Sequence, residues 1–193
     1  MKQLVKTFVF AFFVLCITSC GGGSKNSSDN AQQADFTATL TGVGPVQLNL
    51  PVGDIPSSFE GLYDDFKTEV IADEMDGDYT VLHFNKSGST VMTAFISYDN
   101  KIESIEVLGM NIASKDGISP GTGVKQLFDR GAKGAMSNDG RLSIRFGKID
   151  YYPSGLKDAG NMKLEQAYFT GEEPYITADD FEKNAKVISF FIF

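Results

Sequence analysis

From Asp35 onward, apolar and polar positions alternate in short runs separated by turn dipeptides. DFTATLT (35–41) and GPVQLNL (44–50) keep a period of two, which puts every second side chain on one face of a strand. Gly42-Val43-Gly44 lies between them, and the pattern predicts that the two runs pair through it. The next stretch, PVGDIPSSFEGLYD (51–64), carries two prolines and breaks the alternation. Phe59, Leu62, Tyr63, Phe66 and Val70 trace a helical stripe, with Ser57 and Glu60 spaced as a capping box. Gly61 and the β-branched Thr68, Val70 and Ile71 oppose a long helix, so one short helical turn followed by a strand is expected.

The pattern is clearer beyond this point. Asp76-Gly77, Ser87-Gly88 and Asp99-Asn100 fall 11 and 12 residues apart, followed by YTVLHF, VMTAFIS and IESIEVL. Such dipeptides supply the positive φ angles of tight hairpins, so four strands in an antiparallel meander are predicted. GISPGTGVKQLFDRGAKG (117–134) offers Thr122 as an N-cap, Val124, Leu127 and Phe128 on one helical face, and Gly131 as a stop. Asn138-Asp139-Gly140 turns the chain into RLSIRFG, and KIDYYP and MKLEQAYF (162–169) read as further strands. Thr177 and Asp180 repeat a capping pattern ahead of ADDFEKNA, and KVISFFIF closes the chain as a buried strand. Hairpin-length connections and few helices predict one domain over 35–193. Its fold class is α+β, mostly antiparallel β: a curved meander sheet with one or two short helices packed on it.

The first 34 residues follow a different pattern. Lys2 and Lys6 precede the apolar run Phe8 to Ile17, too short at about 15 Å of helix to cross a bilayer core. A basic start, a short apolar run and small residues at its end are the marks of a secretory signal. Ile17-Thr18-Ser19-Cys20 resembles the lipobox of bacterial lipoproteins. That resemblance implies a signal peptide over 1–19 and an acylated Cys20 as membrane anchor. Cys16 would leave with the signal, so no free thiol would remain for disulfides or nucleophilic chemistry. Gly21 to Ala34, rich in Gly, Ser, Asn and Gln, buries too little to fold and reads as a flexible linker with a reach of roughly 20 Å. The linker's one acid is Asp29, so it lacks the acidic run of some surface-exported lipoproteins, and the periplasmic face of an outer membrane is the expected address.

Charge and chemistry narrow the function classes further. Without Lys2 and Lys6, 15 basic side chains stand against 25 acidic ones, a formal charge of −10. Phosphate backbones repel such a domain, so no nucleic-acid partner is expected. His83 is the only histidine; it sits mid-strand on the face of Tyr79 and Val81, where a structural role is expected. One histidine and an acylated cysteine do not make a zinc site. DEMDGD (73–78) lacks the closing glutamate of an EF-hand, since position 12 counted from Asp73 is Phe84. Gly121-Thr122-Gly123 lacks the Gly-Lys-Ser/Thr ending of a phosphate loop. Tyr151-Tyr152-Pro153, Tyr168-Phe169 and Tyr175 are candidates for ring stacking with a ligand or for core positions. Phe193 matches the terminal aromatic of outer-membrane barrels, but the short Asp-rich strands do not match barrel strands.

IESIEVLGMNIASKDGISPGTGVKQLF (102–128) resembles a pattern in small lipoproteins of Bacteroidota with no assigned activity, and the resemblance implies location more than function. Its helix start is more remotely similar to the small lipoprotein subunit of the outer-membrane barrel-assembly machinery, from which Gly121-Thr122-Gly123 departs. With no cofactor motif, no usable Cys and one His, the expected function is non-catalytic binding of another envelope protein or a small ligand. Acidic residues are abundant, so the alternatives are a carboxylate-dependent glycan hydrolase and a purely structural envelope protein.

Overall fold

The computed structural model describes residues 34–73, 77–136 and 141–193. Its centre is one antiparallel sheet of eight strands. In chain order these are β4 (Asp65–Ile71), β5 (Tyr79–Lys86), β6 (Ser89–Ile96), β7 (Ile102–Val107), β9 (Lys133–Met136), β10 (Leu142–Phe146), β11 (Ile149–Pro153) and β12 (Val187–Ile192). Across the sheet the order is β4-β5-β6-β7-β12-β11-β10-β9. Two four-stranded meanders are thus joined where β7 pairs with β12, and each meander ends at the centre. The turn residues act as their types require: Ser87 and Gly88 both have positive φ (51° and 80°), as does Asn100 (62°).

One face of this sheet makes the core. Leu82, Phe84, Met92, Ala94, Ile105, Val107, Ile144, Tyr151, Phe190 and Ile192 point into a single buried cluster. It is closed by β1 (Phe36–Ala38), β2 (Gly42–Val43), β3 (Val46–Gln47), β8 (Ile112–Ser114) and α1 (Val124–Asp129), through Ala38, Val43, Val46, Ile112, Val124 and Leu127. The cluster contains two anchored phenols. Tyr63 donates to Pro56 O at 2.8 Å. Tyr151 donates to Ser114 Oγ at 2.8 Å, and burial pushes its pKa up to about 12.

Four expectations change. DFTATLT and GPVQLNL share one backbone bond, Leu48 N to Thr41 O at 2.7 Å, but no strand ladder: β1 lies parallel to β8, far along the chain, while β2 and β3 form their own small hairpin. Gly42 permits the close approach of that hairpin, with φ at 150° and the place of a Cβ only 2.1 Å from Val46 O. The turn at Phe59 to Tyr63 is not helical but a tight bridge closing back on itself, because Tyr63 must reach Phe84, 4.9 Å away centroid to centroid. Thr122 caps no helix; its hydroxyl accepts from Ser119 N, and Gly123 precedes α1. MKLEQAYF is not a strand but most of α2 (Asp158–Thr170). Lys, Leu, Glu, Gln and Ala are strong helix formers, and Gly171 in the left-handed region (φ 70°) ends the helix. The helix escaped its pattern because it buries only Gly160 and Ala167, leaving no apolar stripe. The signal segment, the linker with Cys20, the Asp76 corner and the Asn138-Asp139-Gly140 turn lie outside the described residues.

Candidate functional site: the open face of the sheet

The second face of the sheet lies outside the core cluster. Paired residues of neighbouring strands share a face. The register therefore sets Lys133, Arg145, Asp150, Phe191, Glu106, Thr93, His83 and Lys67 in one row across all eight strands. Beside it runs a shorter row of Ser104, Phe95, Val81 and Glu69.

Aromatic rings bind this face together. Tyr79 stacks on Phe95 at 6.3 Å, Phe95 meets Phe191 at 5.9 Å across β7, and Phe191 meets Tyr152 edge-on at 5.2 Å. The Arg141 guanidinium sits 5.0 Å from the centre of the Tyr152 ring, within cation–π range. Phe193 extends the set toward solvent, 6.5 Å from Phe191. Its ends are open, with Tyr79 37% and Phe193 71% exposed.

The polar groups flanking the rings are largely committed to one another. Arg145 donates through Nε and Nη2 to both carboxylate oxygens of buried Asp150, at 2.8 and 2.9 Å. Those bonds and the charge of Asp150 hold the guanidinium pKa above its usual value. His83 sits between two partners, Nε2 at 2.8 Å from Glu69 Oε2 and Nδ1 at 3.3 Å from Thr93 Oγ1. Hydroxyl, imidazole and carboxylate follow the order of a nucleophilic relay, but the burial is inverted. Thr93 is only 6% exposed, while the Glu69 side chain is 59% exposed. A nucleophile must meet its substrate, so this geometry is that of a latch holding β4 to β5 and β6. Glu106, half-buried at the centre of the row, makes no hydrogen bond or ion pair among the described residues.

The other candidates scatter. Tyr151 is in the core and Tyr152 on the open face, while Tyr168, Phe169 and Tyr175 are exposed elsewhere, so they form no single surface. The backbone donors around Gly121 are spent within the fold: Gly121 N bonds Val187 O and Val124 N bonds Ala185 O. No group of three or more metal-binding side chains occurs among the described residues. A cleft of about 420 Å³ near the β9 edge is lined by Lys133, Arg145 and Glu173 as its charged groups, with one carboxylate rather than a facing pair. A smaller one of about 190 Å³ carries the sequence neighbours Glu172 and Glu173 beside Lys163. Asp180, buried near α2, is desolvated, yet Lys163 and Thr177 hold its carboxyl below the usual range.

Sequence reading missed the open face as a unit. Its one local signal was the unbroken SFFIF of β12, which puts aromatics on both faces of a single strand.

The crystal structure of the uncharacterized protein YfeY from Escherichia coli has a similar fold, with a TM-score of 0.56 at 20% identity over 81% of this chain and 98% of that one. No protein-family model matches the chain, and no curated protein does.

Proposed function

We propose that this chain is a lipid-anchored lipoprotein of the bacterial cell envelope, held through Cys20 in the outer membrane and facing the periplasm. In this reading it is non-catalytic and binds another envelope protein or a small ligand on the open face of the sheet. The observation that carries the binding role is the line of rings Tyr79, Phe95, Phe191 and Phe193, which packs outside the core cluster and leaves both ends, Tyr79 and Phe193, in solvent. Aromatic surface of this kind releases water on contact and is enriched where proteins meet partners. The lipobox-like Ile17-Thr18-Ser19-Cys20 supports the anchor. Two acyl chains or more would hold the domain stably at a membrane, which its own acidic surface does not favour.

The non-catalytic reading draws on the state of the acids. A hydrolase of glycans sets two carboxyl groups across a cleft, one of them protonated near neutral pH. Here the buried Asp150 is engaged by Arg145 on both carboxylate oxygens, and Lys163 and Thr177 hold the buried Asp180 carboxyl below the usual range.

Two changes test the proposal in the living cell. Cys20→Ala is expected to move the protein from the membrane fraction to the soluble fraction, and retention at the membrane would sink the anchor. Phe95→Ala with Phe191→Ala is expected to remove a crosslinked partner seen with the native chain. An unchanged crosslink pattern in the folded variant would mean that the open face is not where binding occurs.

A further inference from the structure

The two edges of the sheet are treated differently. At one, β9 is four residues long, carries Lys133, and has Ile176 pressed against Gly134, where a Cβ would come within 2.7 Å of the isoleucine. That edge is short, charged and covered, the usual protection against stray pairing. At the other, β4 runs for seven residues without proline and pairs with β5 alone among the described residues. Five of its seven residues are exposed, and Val70 is 63% exposed although it points to the same side as Phe66, which packs half-buried against the core. Lys67 makes no hydrogen bond or ion pair among the described residues.

We infer that β4 pairs with β4 of a second copy of this chain, antiparallel and centred on Thr68, joining the two sheets into one across a twofold axis. The central FKTEV of β4 is complementary to itself in that register, while Asp65, bonded to its own Asn85, faces Ile71 at either end. Thr68 faces Thr68 of the second copy, Lys67 faces Glu69, Glu69 faces Lys67, and Phe66 faces Val70. Opposite charges directly across a strand pair attract, and like charges repel. Exposed Val70 gains an aromatic neighbour, so the apolar side of each sheet continues across the joint.

The same charges reject the alternatives. Sliding the pair by two residues one way sets Lys67 against Lys67 and Glu69 against Asp65; sliding it the other way sets Glu69 against Glu69. A parallel pairing in register stacks like on like. A shift by one residue brings the core side of one copy level with the open side of the other. Of these arrangements only the one centred on Thr68 satisfies the ions and keeps the faces matched. It also turns the two open faces to the same side, with Glu69 shared between its own His83 and the second copy's lysine.

Seven paired residues make a small interface, so covalent trapping reports it better than size in dilute solution. Directly opposed residues of antiparallel strands have Cα atoms about 4.5–5.5 Å apart, within disulfide range. The full chain carrying Thr68→Cys is expressed in bacteria and oxidised with copper-phenanthroline, with the unsubstituted chain as reference for its own cysteines. A reducible band at twice the chain mass is expected, well above the reference. Adding Lys67→Glu, or Glu69→Lys, is expected to lower its yield at least about fivefold, since two attractive pairs become repulsive. Adding both restores the yield, because the charges are then exchanged on both strands. No band above the reference would overturn the pairing, as would a disulfide to a different protein, which assigns the edge to a partner's strand. Equal yields in all charge variants, or no recovery in the double exchange, would overturn the register.

Discussion

Phe190 and Phe191 are neighbours on β12, yet they live in different environments. Phe190 is fully buried, 5.6 Å from Tyr151 in a core built from most of the chain. Phe191, on the opposite face, is partly exposed and touches only rings of its own face, Phe95, Tyr152 and Phe193, among the described aromatics. Both faces are rich in aromatics, so composition does not separate them. What separates them is enclosure: the core face is covered by β1, β2, β3, β8 and α1, while on the second face Tyr79, Phe95, Phe191 and Phe193 keep part of their ring surface in solvent. Stability should reside mainly on the first face and recognition on the second.

Three substitutions break or sharpen that contrast. The largest effect is expected from Phe190→Ala, which leaves a cavity in an enclosed core and should cost about 3–5 kcal/mol in urea unfolding. A loss below about 1 kcal/mol would show that the core face is no better packed than the open one.

Tyr151→Phe comes next. It removes a buried hydrogen bond to Ser114 and should cost about 1–1.5 kcal/mol near neutral pH. Its pH signature is sharper. The folded phenol is raised from 10.0 to about 12, so its contribution is whole below pH 10 and is lost as pH rises through 12. The unfolded chain ionises first, which weakens the fold by up to roughly 2–3 kcal/mol over that window. Tyr151→Phe should flatten this alkaline loss, and thermal melts at pH 9 and 11.5 measure it. An equally steep loss in the variant would assign it to another group, with Tyr63, also raised by burial, as the first to examine.

The smallest effect on stability is expected from Phe191→Ala, about 1 kcal/mol or less, since only ring contacts on a half-open surface are lost. Its consequence should be the loss of a bound partner in the crosslinking experiment while the unfolding midpoint barely moves. If stability fell as far as in Phe190→Ala, the open face would be a second core rather than a binding surface.

The legible parts of the fold were those with local causes. YTVLHF, VMTAFIS and IESIEVL became β5, β6 and β7 because period-two alternation and the turns at Ser87-Gly88 and Asp99-Asn100 act within about a dozen residues. Val124 and Leu127 were recognisable as one buried helical face for the same reason. DFTATLT was misassigned because its partner, β8, is recruited from the far side of the meander, which no nearby residue announces. α2 was misread because it meets the fold through a glycine, an alanine, the single large apolar Leu164 and the Lys163–Asp180 pair rather than a stripe of large apolar residues.

The sequence by itself determined which segments alternate, where they turn, how acidic the surface is and that one histidine is available. These depend on side-chain type and on neighbours a few bonds away. Only the tertiary structure decided that β12 lies against β7, and with that which residues share a face. The row from Lys133 to Lys67 and the rings from Tyr79 to Tyr152 exist because strands distant in the chain meet in a particular register. A one-residue slip at β12 would send Phe191 to the core side and Phe190 to the open one. Local chemistry leaves both registers available; it is the enclosed packing around Phe190 and Tyr151 that selects one and so builds the other face.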